Sequence, residues 1–507
     1  MNKPSLRKNT IANYAGQLYL TLIGIVVTPF YLQFLGAEAY GLVGFFALMQ
    51  AWMNLLDLGL SPTLGRQAAY ARGIENGFEN FKKLLKSFEV IFLGLATTAF
   101  LGIFFAKDWL AIEWIKSEGF EISTLTYCIG LMGIMISLRW FVGLYRSGIN
   151  GLEDQVWLNM ANIAITSLKF LGALFLLKFI THDVRHFFEY QLLISLIEMG
   201  AFMYRFYSRL PATTYNPKLI DFDASVVKNI APFALGIAYT AGIWVLVTQT
   251  DKLVLSGILT LSEYGYFSLV ALVAGSVTIL SGPIAQAILP RLTLLYSQNK
   301  KKELLEIYGN ASQLAILITL SVAYMVGFYA KPLLYAWTGN IVAAEWGSSV
   351  LLWFALGNGV LGISSYQYYL QVAFGNLKLH VIGSTISAVI QVPLIYYVAK
   401  NYGAEGAGIA WFSFRTLWFL WWTPIVHKKF LPGFHLKWLT KQILPIIITV
   451  TTVSYFIRML FPLDLDENRF ILFIQMIGLG ILLLLISIPS SKFIRQSTYK
   501  LYQKKLT

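Results

Sequence analysis

Long apolar segments alternate with short polar connections along the whole chain. A helix needs about 17–25 mainly apolar residues to cross the hydrocarbon core of a bilayer. Fourteen segments meet that length and are predicted to be transmembrane helices. They lie near residues 11–33, 40–61, 86–107, 122–145, 156–178, 187–207, 230–258, 264–289, 309–330, 346–372, 379–399, 404–426, 438–460 and 470–489. The predicted fold class is an all-α polytopic membrane protein.

Composition agrees with lipid as the surrounding solvent. Hydrophobic residues make up 57% of the 507 residues and charged residues 13%, whereas soluble proteins average about 45–50% and about 25%. The net charge of +14 does not indicate a nucleic-acid partner, because lysine and arginine are concentrated between the apolar segments. The single cysteine, Cys128, excludes an intramolecular disulfide and a cysteine-based metal cluster, and no metal site is predicted.

The distribution of positive charge predicts the topology. Twenty-seven lysines and arginines fall on the side that carries both termini, and eight fall on the opposite side. Because positively charged loops remain in the cytoplasm, both termini are predicted to be cytoplasmic. The longest connections are predicted on that same side, near residues 62–85, 208–229 and 290–308. None of them is long enough for a soluble catalytic domain.

An internal repeat organises the first twelve helices. Tyr40-Gly41 follows the first apolar segment and Tyr264-Gly265 follows the seventh, an offset of 224 residues. Gly151 and Gly375, which follow the fourth and tenth segments, show the same offset. Six helices per copy give two parallel repeats, an arrangement known among secondary transporters.

The repeat predicts the domain organisation. We expect an N-terminal six-helix bundle at residues 1–207, a cytoplasmic linker at 208–229 and a second six-helix bundle at 230–430. Residues 431–507 then form helices 13 and 14 and a basic cytoplasmic tail.

Several motifs resemble those of a known family. Residues 28–42 (TPFYLQFLGAEAYGL) and 56–60 (LDLGL, followed by Arg66) resemble signatures of polysaccharide transporters, the flippases of O-antigen and exopolysaccharide. Residues 250–255 (TDKLVL) and 263–265 (EYG) are similar to the second half of such proteins. The family belongs to the multidrug/oligosaccharidyl-lipid/polysaccharide exporter superfamily.

The resemblance implies a function and a location. Members translocate undecaprenyl-diphosphate-linked oligosaccharides across the bacterial inner membrane by alternating access, for cell-surface polysaccharide assembly. The expected partners are that glycan carrier, membrane lipid and the polysaccharide polymerase machinery. No cofactor is expected, and the driving force would be H⁺, Na⁺ or the membrane potential.

Four cations lie inside predicted membrane helices, where charges are costly and are functional candidates. Arg139, Lys169, Lys252 and Arg415 are therefore candidate substrate-binding residues. Arginine binds phosphate oxygens through a planar fork, and lysine supplies a compact charge. The structural alternative is ion pairing, of Lys169 with Glu198 and of Lys252 with the adjacent Asp251.

Three acids inside the predicted membrane helices are candidates for ion coupling. They are Asp57, Glu198 and Asp251. Asp57 falls near the end of the second segment, where a role at the helix end is the structural alternative.

Two other functions are left open by the sequence. Cation-coupled multidrug efflux occurs in the same superfamily, and the near balance of intramembrane acids and bases favours an anionic substrate only mildly. A membrane glycosyltransferase or polymerase would need a converging polar pocket. The outer loops are short and offer few catalytic groups, so a transporter is predicted and not an enzyme.

Overall fold

A computed structural model of the chain describes residues 6–74, 77–213, 218 and 221–496. Within these ranges the regular structure is helical, apart from an isolated parallel β-bridge between Lys116 and Thr260. The predicted all-α class is confirmed. Part of the predicted linker 208–229 and the end of the predicted basic tail lie outside the described residues.

The chain divides into two compact units, one ending at Gly265 and one beginning at Tyr266. The helices of the first unit are α1 (Leu6–Met53), α2 (Leu60–Ala71), α3 (Gly77–Trp109), α4 (Ile122–Gly151), α5 (Gln155–Ser167), α6 (Ala173–Phe179), α7 (Val184–Arg209) and α8 (Ala224–Ile258). Short 3₁₀ or π turns are present at Asn54–Asp57, Leu110–Trp114 and Leu168–Gly172.

Helix α9 (Leu261–Ile279) begins in the first unit and continues into the second. The helices that follow are α10 (Gly282–Ser297), α11 (Lys301–Phe328), α12 (Ala330–Thr338), α13 (Ile341–Ser364), α14 (Tyr366–Ala373), α15 (Lys378–Phe430), α16 (His435–Trp438), α17 (Leu444–Leu460) and α18 (Arg469–Ser487). The turns Leu439–Ile443 and Ile488–Ser490 complete the second unit.

Eleven helices in the described part of the chain are long and apolar enough to cross a membrane. Helices α1 and α15 each cover two predicted segments, with non-helical backbone at Gly36 (φ 81°) and Gly403 (φ 61°). At 1.5 Å per residue each is more than twice the length needed to cross the hydrocarbon core. Helix α7 was also predicted to span, but it is more polar and is not among the eleven. The count of fourteen stays a prediction.

Two predicted connections are largely helical. Residues 62–85 contain most of α2 and the start of α3, and residues 290–308 contain the end of α10 and the start of α11. These stretches are rich in polar residues, which led to their interpretation as loops. Helix α2 buries one face, including Leu60, Leu64 and Ala68, and leaves the other face exposed. Such amphipathic segments form helices without being apolar enough to cross the bilayer.

Aromatic side chains fill the interior of the first unit. Helix α3 contributes the fully buried Phe88 and Phe92, and helix α7 contributes the fully buried Phe202 and Phe206. Tyr145 of α4 belongs to the same cluster. Helix α8 packs against α1, α2 and α3. Helices α4 and α7 are therefore held firmly against each other, and both carry charged residues described below.

The last two long helices pack within the second unit. Helices α17 and α18 lie against α11, and α18 also contacts α12. Tyr329 donates hydrogen bonds to the carbonyl oxygens of Ile457 (3.1 Å) and Phe461 (2.9 Å). Trp438 Nε1 donates to Ser312 Oγ at 2.8 Å. This part of the chain is thus joined to the rest of the unit by buried polar contacts as well as by apolar packing.

Candidate functional site

A cluster of charged side chains lies among α4, α7 and the π turn that follows α5. Lys169 Nζ is 2.5 Å from Glu198 Oε2, and Arg146 Nη2 is 3.3 Å from Glu198 Oε1. Arg139 is close enough to repel both Arg146 and Lys169. Arg139 and Arg146 are seven residues apart on α4, which places them about two turns apart on one face. We call Arg139, Arg146, Lys169 and Glu198 the cation cluster.

The backbone that carries Lys169 is fixed by side chains of two other helices. In the π turn Leu168–Gly172 the regular helical hydrogen bonding is interrupted. The Tyr31 hydroxyl group on α1 donates to the carbonyl oxygens of Lys169 (3.1 Å) and Phe170 (3.0 Å). Gln191 Nε2 on α7 also donates to the carbonyl oxygen of Lys169, at 2.9 Å. Buried carbonyl groups need such partners. These bonds position the Lys169 side chain toward Glu198.

Charge and exposure differ among the members of the cluster. Glu198 is almost fully buried, with 8% of its side chain exposed, while Lys169 is 22% and Arg146 43% exposed. Arg139 is exposed. Two cations contact Glu198 and Arg139 lies nearby on α4, so the four side chains together carry an excess of two positive charges. An anion with two negative charges would balance this excess. Arg139 and Arg146 could both contact it, because they lie on one face of α4.

The contacts of Asp57 are those of a carboxylate at the start of a helix. It lies at the end of the turn Asn54–Asp57, and its carboxylate accepts hydrogen bonds from the backbone N–H (3.3 Å) and the hydroxyl group of Ser61. Ser61 is the second residue of α2, where a free N–H needs an acceptor. Leu58 and Gly59 both have positive φ, so the LDLGL motif forms the turn from α1 into α2. These contacts are the ones expected if Asp57 has the alternative role, at the end of a helix.

Lys252 and Asp251 lie on α8. Lys252 takes no part in the ion pairs of the cation cluster described above. Lys252 Nζ donates to Gln249 Oε1 at 2.9 Å. Asp251 is 6% exposed. Their predicted roles in substrate binding and ion coupling stay predictions.

Arg415 lies in the second unit and is 5% exposed. Its guanidinium carbon is 4.3 Å from the centre of the Trp411 ring, in cation–π contact. Trp411 Nε1 donates to Asn358 Oδ1 at 3.1 Å, and Asn358 donates to the carbonyl oxygen of Ala274 at 2.8 Å. Arg415 therefore packs on an indole ring that Asn358 holds in place, and its predicted contact with substrate stays a prediction.

Arg146 was not predicted to be a member of the cluster. The predicted fourth helix covers residues 122–145, which leaves Arg146 in the cytoplasmic connection that follows. The structure continues α4 to Gly151, so Arg146 is helical and contacts Glu198. The seven-residue spacing from Arg139 was the available signal. Lys169 and Glu198 are in contact, as the structural alternative of ion pairing predicts, and the role of Lys169 in substrate binding stays a prediction.

The described residues do not form a metal site like the charged cluster above. In the part of the chain that the structure describes, no three His, Cys, Asp or Glu side chains come close enough together to hold a metal ion. The chemistry of the cation cluster is that of anion binding, by charge-assisted hydrogen bonds from Arg and Lys.

Comparison with known proteins places the chain in a family. The chain is 23% identical over 418 residues to a protein of Shigella flexneri named "Putative O-antigen transporter", covering 80% of this chain and 94% of that protein. Its fold matches the lipid II flippase MurJ in an inward closed conformation (TM-score 0.66, 17% identity, 97% of this chain and 99% of that one). It also matches an inward-facing multidrug resistance MATE family transporter of the MOP superfamily (TM-score 0.65, 18% identity, 81% and 94%).

These relatives carry the names of transporters and of a flippase, in agreement with the prediction of a transporter and not an enzyme. The likeness to these transporters shows that the chain shares their fold, and the eleven long apolar helices of the described residues indicate a multi-pass membrane protein. The sequence profile of a family described as "Polysaccharide biosynthesis protein" matches residues 6–296, more than half of the chain. The chain therefore belongs to the polysaccharide biosynthesis protein family.

Proposed function

We propose that the protein is a flippase that moves an undecaprenyl-diphosphate-linked oligosaccharide across the bacterial inner membrane by alternating access. Both termini would be cytoplasmic, and the glycan would serve cell-surface polysaccharide assembly. Family membership supports a role in polysaccharide biosynthesis, and the names of the relatives support a lipid-linked glycan as cargo. Contact with the polysaccharide polymerase machinery belongs to the same proposal.

The cation cluster is the observation that carries this proposal. A diphosphate bears about two negative charges and several acceptor oxygens, as phosphate groups do near neutral pH. Arg139 and Arg146 offer forked donors from one face of α4, and Lys169 adds a third charge held by Glu198. A low-dielectric surrounding strengthens attraction to an anion relative to water. Glu198 keeps part of this charge neutralised while no substrate is bound.

Glu198 also provides a route to coupling. A carboxylate that holds two cations competes with an incoming diphosphate for them. Protonation of Glu198 would free Lys169 and Arg146 for the substrate, and loss of that proton would return them to Glu198. Among the three acids predicted for ion coupling, Glu198 is the one that belongs to the cation cluster, so we assign coupling to it. Na⁺ or the membrane potential would be the driving force if the transport rate did not respond to pH.

The decisive experiment measures flipping of a fluorescent undecaprenyl-diphosphate oligosaccharide in proteoliposomes. Arg139→Gln and Lys169→Gln should each lower the initial rate by about tenfold or more, since each loses a charge-assisted contact worth about 1.5–3 kcal/mol. The matched control is Arg291→Gln, an arginine in the second unit whose side chain is 54% exposed. It should transport at the wild-type rate. Equal rates for Arg139→Gln and Arg291→Gln in folded protein would refute the assignment of the cluster.

Multidrug efflux is the competing function. The match to a MATE family transporter is nearly as good as the match to the flippase, so the fold alone does not separate them. The excess positive charge of the cation cluster is unfavourable for a cationic drug. Export of a cationic dye, together with no transport of any lipid-linked glycan, would favour efflux over the proposal.

A further inference from the structure

A cavity of about 320 Å³ lies between the first part of α3 and the end of α7, within the first unit. Its volume is at the lower limit of small-ligand sites, so it suits a ligand group of modest size. Helix α3 contributes Lys82, Leu85 and Lys86 to the lining, and the end of α7 with the residues after it contributes Tyr207, Leu210 and Ala212. We call this space the lysine cavity. Its lining shares no residue with the cation cluster.

The two lysines of the cavity differ in their partners. Lys86 Nζ lies 2.9 Å from Glu89 Oε2 and 5.2 Å from the centre of the Tyr207 ring. Lys82 forms no ion pair with any residue that the structure describes. An ammonium group has three N–H donors, so Lys86 can keep Glu89 and still donate to a ligand. Glu89 balances Lys86, and the charge of Lys82 remains to attract an anion.

Glu89 fixes the wall of the lysine cavity. Its Oε1 atom accepts hydrogen bonds from the hydroxyl groups of Tyr145 (2.9 Å) and Tyr207 (2.5 Å). The side chains of Lys86 and Glu89 are only 17% and 14% exposed. Lys86 and Tyr207 are therefore held in position by the protein itself. Such preorganisation lowers the entropy cost of binding a ligand.

Apolar side chains form the rest of the lining. Leu85 lies on α3, and Leu210, Pro211 and Ala212 follow one another at the end of α7. These side chains offer no hydrogen bonds to a sugar or a nucleobase. Hydrocarbon can pack against them and gain from burial. The lysine cavity is therefore amphipathic, with amines on one part of its surface and apolar groups on the other.

The lysine cavity lies at the expected depth of lipid headgroups. Helix α3 has 33 residues, about 50 Å at 1.5 Å per residue, whereas the hydrocarbon core is about 30 Å thick. The predicted membrane segment begins at residue 86, so Lys82 lies about 6 Å beyond it on the predicted cytoplasmic side. Tyrosines such as Tyr145 and Tyr207 are typical of this interface. The phosphate groups of a bilayer occupy the same zone.

We propose that the lysine cavity binds the phosphate group of an anionic phospholipid from the cytoplasmic leaflet. Lys82 and Lys86 contact the phosphate oxygens, and the glycerol and first methylene groups lie against Leu85 and Leu210. Basic cavities between membrane helices on this side are suited to anionic headgroups. Free phosphate would use the lysines but would leave the apolar lining unfilled, so the shape of the cavity favours a lipid.

The bound lipid would also join two parts of the first unit. The backbone N–H of Asp223, at the start of α8, donates to Ser87 Oγ at 2.9 Å, next to Lys86 on α3. A lipid held by Lys82 and packed on Ala212 would contact α3 and the connection from α7 to α8 at once. Lipid binding at this site is independent of the cargo that the protein carries.

Native mass spectrometry of the full-length protein tests the site, with phosphatidylglycerol as the probe and phosphatidylcholine as the comparison. Lys82→Gln should lower the affinity for the first phosphatidylglycerol by about tenfold, through loss of one charge-assisted contact. The matched control is Lys302→Gln, the same change at an exposed lysine near the start of α11. It should bind like the wild type. Equal affinity of the two folded variants would overturn the proposal, and so would equal affinity of the wild type for both lipids.

A second variant tests the cavity without changing its charge. Ala212 is exposed, so Ala212→Trp should fold, fill the apolar part and lower phosphatidylglycerol affinity by about tenfold. Ser208→Trp, exposed on α7 and outside the lining, should bind like the wild type. Unchanged affinity in Ala212→Trp would overturn the proposal. Displacement of phosphatidylglycerol by inorganic phosphate, lost in Lys82→Gln, would overturn the lipid assignment and make the site one for free phosphate.

Discussion

The two units bury different kinds of polar group. In the first unit, Arg146 and Lys169 contact the buried Glu198, so ionic charge lies among α4, α5 and α7. In the described part of the second unit, the buried polar side chains other than Arg415 carry amide, hydroxyl or imidazole groups. Gln313 and His427 are at most 1% exposed there, and His427 Nε2 lies 2.9 Å from the hydroxyl oxygen of Tyr308.

This contrast indicates that the polar groups of the two units have different tasks. Neutral hydrogen bonds satisfy buried polar atoms without the desolvation cost of ions. They are suited to holding helices α17 and α18 on the second unit. Buried ions are costly but can exchange partners with a charged ligand. We therefore expect substitutions in the first unit to change both stability and transport, and substitutions in the second unit to change mainly stability.

Removal of Glu198 should have the largest effect. Glu198→Ala leaves Lys169 and Arg146 without their shared carboxylate, and breaking a buried pair in this way costs about 3–5 kcal/mol. Thermal unfolding of the purified protein in detergent measures the loss. The control is Glu303→Ala, an exposed carboxylate 3.7 Å from Lys300, which should cost less than about 1 kcal/mol. Similar destabilisation in both variants would contradict the contrast between the units.

A double substitution refines this result. Glu198→Ala with Lys169→Met removes both members of the 2.5 Å pair, so less uncompensated charge remains buried. We expect the double variant to recover part of the stability that Glu198→Ala loses, while transport stays low. Recovery of transport as well would show that Lys169 is not needed for the substrate.

In the second unit, loss of a neutral polar contact should have the next largest effect. Gln313 Oε1 accepts from Ser491 Oγ (3.3 Å) and Phe493 N (3.2 Å), and so ties α11 to the segment after α18. Gln313→Leu leaves these donors buried without an acceptor, at a cost of about 1–3 kcal/mol. The same unfolding measurement checks it, with the exposed Gln298→Leu as control. Transport by the remaining folded protein should be near the wild-type rate.

Several of these features were predictable from the sequence. Apolar segment length gave the membrane fold, whereas the duplication inferred from the repeated Tyr-Gly motif at an offset of 224 residues stays a prediction. The rule that charges inside membrane helices need partners led directly to Lys169 and Glu198, which are in contact. Family motifs in residues 28–42 gave the family that the sequence profile confirms.

The remaining features depend on backbone geometry that residue patterns do not encode. Arg146 lies just beyond the predicted fourth helix at residues 122–145, whereas packing against α7 continues that helix to Gly151. The π turn at Leu168–Gly172 has no sequence signal of its own and depends on hydrogen bonds from Tyr31 and Gln191. Helices α1 and α15 continue through the predicted loops because each needs only one non-helical glycine to change direction.

Arg415 tests whether the second unit contributes charge to transport. Arg415→Leu loses the cation–π contact with Trp411, which is worth about 1–2 kcal/mol when desolvated. We expect it to reduce the flipping rate less than Arg139→Gln does, because Arg415 is enclosed and Arg139 is exposed. The measurement compares initial flipping rates at equal amounts of folded protein. A larger loss in Arg415→Leu would restore Arg415 as a main substrate contact and weaken the contrast between the units.

Asp57 should give the smallest effect, although it is an acid in the first unit. Asp57→Asn keeps an acceptor for the Ser61 N–H, and Asn and Asp are about equally good at helix starts, so the expected cost is below about 0.5 kcal/mol. If coupling depends on Glu198, the pH dependence of flipping in Asp57→Asn should match that of the wild type. Glu198→Gln should abolish this dependence. A pH response that disappears with Asp57→Asn and survives Glu198→Gln would move the coupling site from the cation cluster to the turn between α1 and α2.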